Sequence, residues 1–180
     1  MPAGKVEDEP VINTDWLPTL LELSGQAAPT GFDGVSIATL LNGRGPAPHR
    51  AFFWHFPHYT NQGSRPCGAM RDGNWMLVEL YDSDVAELYD LNEDPEERRD
   101  LSAKHPDRVA QMGAALAAWR RGINAQENKP NPGFSPNAFR ELYQDVDASR
   151  FLPETADQTQ WESMWRWRRG MNAAPSLKPQ

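Results

Sequence analysis

The sequence predicts an α+β fold: a small antiparallel sheet covered by a long helix, with a separate helical segment before it. Four short segments rich in aromatic and branched residues follow one another between positions 51 and 91, and such residues favour strands. An apolar stripe at helical spacing then runs through residues 105–122. The glycine- and proline-rich run at 45–48 cannot continue either pattern, so we interpret it as a boundary within the chain.

Two helices are predicted before this boundary. The first lies within residues 13–25, with Asn13 or Thr14 capping its first turn and Gly25 as its left-handed stop. A shorter capped helix is predicted over residues 36–43. The first helix has a wide apolar face that we expect to dock on another surface, formed by Trp16, Leu17, Leu20, Leu21 and Leu23.

Four strands and one long helix are predicted after the boundary. The strands occupy residues 51–56, 68–71, 74–80 and 87–91. An Asp-Gly pair at positions 72 and 73 is typical of a tight hairpin turn, which indicates an antiparallel sheet. The apolar face of the long helix is expected to cover that sheet and carries Val109, Met112, Leu116 and Trp119.

The remainder of the chain is predicted to be a strap followed by a tail helix. Residues 128–136 contain three prolines and are expected to run extended along the surface. The tail helix is predicted over residues 159–169, where Trp161 and Trp165 share a face. Packing against the rest of the protein is our first interpretation of this face, and a carbohydrate or protein contact is the alternative. These elements divide the chain into segments 1–47, 48–123 and 124–180.

The charge balance disfavours one class of partner. The chain carries 25 acidic and 18 basic residues, a net charge of -7, whereas nucleic-acid binding depends on clustered lysine and arginine. No apolar segment approaches the length of a membrane span, and the first residues lack the apolar stretch of a signal peptide. We therefore expect neither a nucleic-acid nor a membrane partner. The single cysteine, Cys67, excludes an intrachain disulfide and leaves the compartment open.

Three longer motifs follow one another along the chain. They are D-x-x-P-T-L-L-E-L-x-G at 15–25, R-D-G-x-W at 71–75 and L-Y-D-L-x-x-D-P-E-E at 88–97. In order and spacing they resemble the C-terminal region of the type I, formylglycine-dependent sulfatases of the arylsulfatase kind. The resemblance extends over about residues 2–125.

This resemblance implies a fold and an activity. Full-length sulfatases have the alkaline-phosphatase-like fold, so residues 1–47 would be the end of the catalytic domain and residues 48–123 the C-terminal subdomain. The implied activity is that of a sulfuric ester hydrolase acting on a sulfated carbohydrate or an aryl sulfate. Calcium is expected in a full-length relative and no cofactor in this chain. Full-length relatives are commonly exported.

The catalytic motifs of the resembled family are absent from this sequence. The nucleophile is a formylglycine made within C/S-x-P-S/A-R, and segments 64–68 and 67–71 match that pattern only in part. The calcium ligands include an Asp-Asp and an Asp-Asn pair, and neither dipeptide occurs here. We therefore predict no catalytic or metal-binding residue, expect a missing catalytic domain upstream of Met1 as a partner, and expect the chain to be inactive alone.

The loop at residues 53–63 is the candidate site. It carries side chains that can bond sugar hydroxyls or sulfate oxygens: His55, His58, Tyr59, Asn61 and Gln62. The resemblance places this loop near the mouth of a sulfatase site, so His55 and His58 are candidate substrate-binding rim residues for a sulfated glycan or small sulfate ester. The alternative is that both histidines are ordinary polar residues on an aromatic loop.

Two other functions stay open from the sequence. A non-catalytic glycan-binding or interaction module would use the same loop. An independent hydrolase would pair Cys67 with a histidine, although a lone cysteine in an aromatic-rich strand is more often a small buried apolar residue.

Overall fold

The chain forms two compact units. A computed structural model describes residues 4, 6–27, 30–146, 148 and 151–173. The first unit is Met1–Arg50 and the second is Ala51–Gln180. Within the described ranges, no helix combines the length and the apolar character that a bilayer crossing needs.

The first unit contains a 3-10 turn, Asn13–Asp15, followed by helices α1, Trp16–Leu23, and α2, Ala38–Leu41. The prediction that Asn13 or Thr14 caps the first helix is wrong, because the 3-10 turn precedes α1 and no side chain caps it. The predicted stop is confirmed, since Gly25 adopts a φ of 74° and its successor's amide bonds back to Leu21.

Two buried polar residues organise this unit. Asp15 and Thr19 are 1% and 0% exposed. The Asp15 carboxylate accepts hydrogen bonds from the amides of Ile12, at 3.0 Å, and Val35, at 3.1 Å, and it forms an ion pair with Arg50. A buried carboxylate is tolerated only when its charge is compensated in this way, so these partners and the turn require one another.

Thr19 joins α1 to the segment that precedes α2. Its hydroxyl donates to the Asp15 carbonyl at 2.6 Å and accepts from the amide of Ile37 at 3.0 Å. The spacing of the first motif therefore has a structural cause, because Asp15, Pro18 and Thr19 share the buried side of α1. The apolar face points outward instead, with Trp16, Leu17, Leu20 and Leu23 each about half exposed.

The second unit is built on a four-stranded antiparallel meander. Its strands are β1, Phe52–Phe56; β2, Cys67–Asp72; β3, Trp75–Leu80; and β4, Ala86–Asp90, in the order β1-β2-β3-β4. All four predicted strands are confirmed. The β2–β3 hairpin pairs Asp72 with Trp75, so Gly73, with a φ of 58°, takes the first central position of a two-residue turn. Glycine is favoured there in a type II′ turn.

Helix α3, Pro106–Gly122, packs on this sheet. The core consists of Met70, Leu77, Leu88, Met112 and Leu116, all at most 5% exposed. Strand register places Met70 opposite Leu77, and Leu77 opposite Leu88, so one face of the sheet presents a continuous apolar row. The predicted apolar stripe of α3 covers that row, which confirms the predicted sheet and helix.

Two tail helices follow, α4, Pro136–Tyr143, and α5, Gln158–Ala173. The predicted tail helix is confirmed and is longer than expected. Helix α4 was not predicted, although its start carries a recognisable signal. The Ser135 hydroxyl accepts the amide of Ala138 at 3.3 Å, and Pro136 occupies the first turn, where its missing amide hydrogen is harmless.

Replacing Gly34 with alanine should loosen the first unit. A Cβ at this position would lie 2.0 Å from the Thr14 carbonyl oxygen, so the backbone must shift, at a cost of about 1–3 kcal/mol. Hydrogen exchange of the Val35 and Ile37 amides should accelerate. Gly122→Ala is the control, because its Cβ would meet nothing within 4 Å, and it should leave both amides unchanged.

The exposed face of α1 should promote self-association of the isolated chain. Leu20 is 59% exposed among neighbouring apolar side chains, and large apolar patches favour association. Leu20→Glu should lower both the sedimenting mass and the binding of a hydrophobic dye. Val85→Glu, at a 45% exposed apolar residue outside this face, should have a smaller effect; equal effects would contradict the assignment.

Candidate functional site

The candidate site is the connection between β1 and β2, residues 57–66, which we call the rim loop. His55 lies in β1, just before the rim loop, and His58 lies within it. These two predicted residues have different surroundings: His55 is partly buried and His58 is exposed.

His55 is bonded within the chain through both ring nitrogens. Nδ1 lies 2.9 Å from the Tyr81 hydroxyl, and Nε2 lies 2.8 Å from the Gln126 carbonyl oxygen. Because a carbonyl only accepts, Nε2 carries a hydrogen, and in the neutral ring Nδ1 accepts from Tyr81. This arrangement ties β1 to the turn after β3 and to the segment that follows α3.

Tyr81, the partner of His55 Nδ1, lies in a partly buried polar cluster. The Arg120 guanidinium lies 4.4 Å from the centre of the Tyr81 ring and pairs with Glu127. Burial raises the pKa of Tyr81 to about 12. Burial also raises the pKa of Glu79, although nearby Arg120 opposes this shift. A side chain at position 68 would meet the Tyr81 hydroxyl at 2.1 Å, so Gly68 leaves the space that this hydroxyl occupies.

His58 is exposed on the surface of the rim loop. Its ring lies edge-on to the Phe56 ring, with centroids 5.5 Å apart. In contrast to His55, its ring nitrogens make no hydrogen bond to another residue in the described part of the chain. Of the two predicted histidines, His58 is therefore the one that is exposed and whose ring nitrogens are not used by another described residue.

Asp82 anchors both ends of the rim loop. Its carboxylate accepts the Tyr59 hydroxyl at 2.8 Å and the Arg65 Nε at 2.9 Å, with a second guanidinium contact from Arg65. Burial, together with the hydrogen bond and negative charge of Asp82, raises the pKa of Tyr59 well above its ordinary value. The Tyr59 hydroxyl predicted to face a substrate is thus already used to hold the loop.

The tail helices hold the middle of the rim loop. Trp167 on α5 is 8% exposed, and a Cβ at Gly63 would lie 3.0 Å from its ring. Arg168 donates to the Asn61 backbone carbonyl at 2.7 Å, and the Asn61 side-chain amide donates to the side chain of Asn172 at 3.1 Å. The α5 helix therefore holds the rim loop in three ways. Trp167 approaches Gly63 closely, one hydrogen bond reaches the loop backbone, and one reaches the Asn61 side chain.

A cavity opens between the rim loop and the tail helices. Its volume is about 580 Å³, and its polar lining includes Gln62, Ser64, Arg65 and Gln144, with Tyr143 and Trp167 as aromatic walls. Amide and hydroxyl groups of this kind bond equally well to sugar hydroxyls and to water. The cavity extends the surface of the rim loop towards the tail.

Cys67 is not activated as a nucleophile. It is half-buried in β2, and burial together with the negative charge of Asp82 raises the pKa of its thiol. A thiol with a raised pKa stays protonated at neutral pH, whereas catalytic cysteines need the thiolate. No group of three or more His, Cys, Asp or Glu side chains arranged to hold a metal occurs among the residues that the structure describes.

The sequence did not reveal the residues that position the rim loop. These residues are Tyr81 and Asp82, in the turn after β3, and Arg65, near the end of the rim loop. Their contacts join positions 17 to 26 apart in the chain. No local spacing signals such contacts. The tail contacts are more remote still, since Asn61 and Arg168 are separated by 107 positions.

Comparison with known proteins identifies the relatives of this chain. The family model described as N-sulphoglucosamine sulphohydrolase, C-terminal, matches residues 1–121. A sulfatase from Formosa agariphila is 28% identical over 150 residues, which are 74% of this chain and 26% of that protein. An N-acetylglucosamine-6-O-sulfatase from Bacteroides thetaiotaomicron is 30% identical over 108 residues, which are 57% of this chain and 19% of that protein.

A solved structure shows the same architecture. The structure described as a 2-O GAG sulfatase aligns with a TM-score of 0.51 at 27% identity, covering 66% of this chain and 27% of that one. The chain thus spans about a quarter or less of the length of these relatives. Its sheet, covering helix and preceding helical unit are those of a sulfatase C-terminal region. The chain belongs to the N-sulphoglucosamine sulphohydrolase C-terminal family.

Tyrosine ionisation should make the protein less stable at alkaline pH. The pKa of each of the four tyrosines is raised in the folded state, and that of Tyr81 reaches about 12. The unfolded chain releases these protons near pH 10, so the stabilisation is complete below about pH 10 and is lost as pH rises towards 12. Absorbance at 295 nm should show tyrosinate forming later in folded protein than in urea.

The variant Tyr81→Phe isolates one of these groups. It should remove one tyrosine from the delayed ionisation and, by leaving His55 Nδ1 without its partner, cost about 1 kcal/mol at neutral pH. Titration of all four tyrosines near pH 10 in the folded protein would contradict the described burial.

Proposed function

We propose that these 180 residues work as the C-terminal part of a sulfuric ester hydrolase that acts on sulfated carbohydrate or aryl sulfate. The match of the family model over residues 1–121 carries this proposal. The chain supplies the supporting sheet and helices, together with part of the rim of the site. It does not hydrolyse sulfate esters alone.

The absence of independent hydrolysis rests on the chemistry of the residues present. Cys67 is held as a protonated thiol, and the sequence contains no C/S-x-P-S/A-R segment from which a formylglycine could form. His55, the histidine in the strand next to Cys67, has both nitrogens committed to Tyr81 and Gln126. The chain therefore lacks an activated nucleophile with a base beside it.

The residues of this chain do not fit the calcium of the family. Calcium needs six to eight oxygen ligands, commonly from carboxylates that converge on one point. No such carboxylate cluster occurs in the described ranges, and Asp15 and Asp82 are each bound to an arginine.

The contribution of the rim loop is substrate contact through His58. Its exposed imidazole can donate to a sulfate or sugar oxygen, and Gln62 at the cavity can do the same. His55 has a positioning role instead: its bonds to Tyr81 and Gln126 hold β1 and the start of the rim loop. The names of the relatives, an N-acetylglucosamine-6-O-sulfatase and a 2-O GAG sulfatase, support a sulfated carbohydrate as the substrate class.

The chain would then consist of three functional segments. Residues 1–47 would be the end of a catalytic domain, residues 48–123 the C-terminal subdomain, and residues 124–180 the strap and tail. The catalytic nucleophile and the calcium ligands would come from a catalytic domain outside these 180 residues.

Sulfate release tests the catalytic part of the proposal. The purified chain should release no sulfate from an aryl sulfate or from a sulfated glucosamine oligosaccharide, with or without added calcium, and Cys67→Ala should behave identically. Sulfate release that disappears in Cys67→Ala would show instead an independent hydrolase.

The role of His58 is tested in the protein joined to its catalytic domain. His58→Ala should raise KM for a sulfated oligosaccharide by about threefold to tenfold, with a smaller change in kcat, as expected for one lost hydrogen bond to a charged group. Gln126→Ala is a matched control because its backbone carbonyl, and hence the bond to His55, is retained. If His58→Ala leaves KM unchanged, the rim assignment fails, and glycan binding without hydrolysis by the complete protein would favour a binding module.

A further inference from the structure

One face of α5 carries aromatic, basic and amide side chains, of which Trp165 and Arg169 are exposed. Trp161 and Trp165 lie four positions apart, and Arg168, Arg169 and Asn172 continue the same face. We call these five residues the α5 stripe. The opposite part of the helix is different, since Trp167 and Met171 are buried.

The aromatic part of the stripe is already ordered as a platform. The rings of Trp161 and Trp165 are stacked, with centroids 6.1 Å apart and an interplanar angle of 27°. Phe151 supports Trp161 from its edge at 4.8 Å. Trp165 is nevertheless 56% exposed. A large ring that is held in place by neighbours yet open to solvent can bind a ligand with little loss of side-chain entropy.

The charge of α5 is opposite to that of the whole chain. The protein has a net charge of -7, whereas α5 contains three arginines and one glutamate. The glutamate, Glu162, accepts a hydrogen bond from Gln158 near the N-terminal end of the helix. Arg169 is exposed beside Trp165 and forms no ion pair with another described residue. An anionic ligand is therefore favoured at this stripe over the rest of the surface.

The stripe is joined directly to the rim loop. Arg168 and Asn172 both bond to Asn61, at 2.7 Å and 3.1 Å, so the C-terminal end of the stripe meets the loop that carries His58. The eleven positions from Trp161 to Asn172 correspond to about 16 Å along a helix. That length accommodates a short oligosaccharide lying along α5 and reaching the rim loop.

We propose that the α5 stripe is an accessory subsite for a sulfated oligosaccharide, which rests on the proposed function and extends its rim beyond His58. A sugar ring stacks on the exposed face of Trp165, because the apolar face of a pyranose complements an aromatic ring. A sulfate group on that or the next sugar pairs with Arg169, whose planar guanidinium bonds two oxygens of such an anion. Arg168 keeps the stripe aligned with the loop and has a positioning role.

Direct binding to the 180-residue chain tests this subsite. The probe is a heparin-derived hexasaccharide, compared with its desulfated form and with inorganic polyphosphate of similar charge. Trp165→Ala should weaken hexasaccharide binding about tenfold and leave polyphosphate binding nearly unchanged. Arg169→Ala should weaken both and reduce the salt dependence of binding.

The control is Phe134→Ala, which removes an aromatic ring of similar exposure, 55%, away from the stripe. It should bind the hexasaccharide like the wild type. Because Trp165 is exposed, Trp165→Ala should retain the circular dichroism spectrum and melting midpoint of the wild type, and Trp165→Phe should keep part of the affinity. Equal affinity of wild type and Trp165→Ala would overturn the subsite.

Failure of the subsite and failure of the proposed rim give different results. If His58→Ala weakens hexasaccharide binding and Trp165→Ala does not, the rim stands and the α5 subsite is wrong. If only Trp165→Ala weakens it, the subsite stands and the rim assignment is wrong. Equal binding of the sulfated and desulfated sugars would overturn the part of Arg169, and no binding of either would overturn both.

Discussion

The candidate site depends on the Asp82 carboxylate. The rim loop leaves β1 and returns to β2, and Asp82 receives the Tyr59 hydroxyl near its start and the Arg65 guanidinium near its end. With both ends fixed by a charge-assisted contact, the loop has few conformations left to lose when it meets a ligand. The contacts of Asn61 and Gly63 with α5 then need only to hold its middle. Without this carboxylate, the rim loop would lose its attachments at Tyr59 and at Arg65.

The first unit also depends on one carboxylate with several partners, although no candidate site lies there. There Asp15 is buried and is satisfied by two amides and Arg50, with Thr19 linking helix and following segment. In both units a single carboxylate joins separate segments of irregular chain. The cost of desolvating each charge is met by several good partners, so removing one partner affects the whole local arrangement.

Family membership and activity are separate properties of this chain. The match over residues 1–121 establishes a sulfatase C-terminal region, but the chain spans only about a quarter of the length of its relatives. The chain contains the sheet, the covering helix and the preceding helical unit of that region. Its charge is also unevenly distributed, since α5 is basic while the whole chain is acidic. A basic helix of this kind favours an anionic ligand over a cationic one.

The sequence by itself determined the elements whose signal is local. Aromatic and branched residues predicted the four strands, and the apolar stripe at helical spacing predicted α3. Gly25 marked the end of α1 because few other residues adopt a positive φ cheaply. The sequence also shows that these 180 residues contain no C/S-x-P-S/A-R segment, because a sequence motif needs no fold to be recognised. Only the tertiary structure decided which polar groups are available. His55 and Tyr59 have the side chains of ligand-binding residues, yet distant partners, Gln126 and Asp82, occupy them. Those contacts depend on how the chain returns to itself, which no spacing along the sequence encodes.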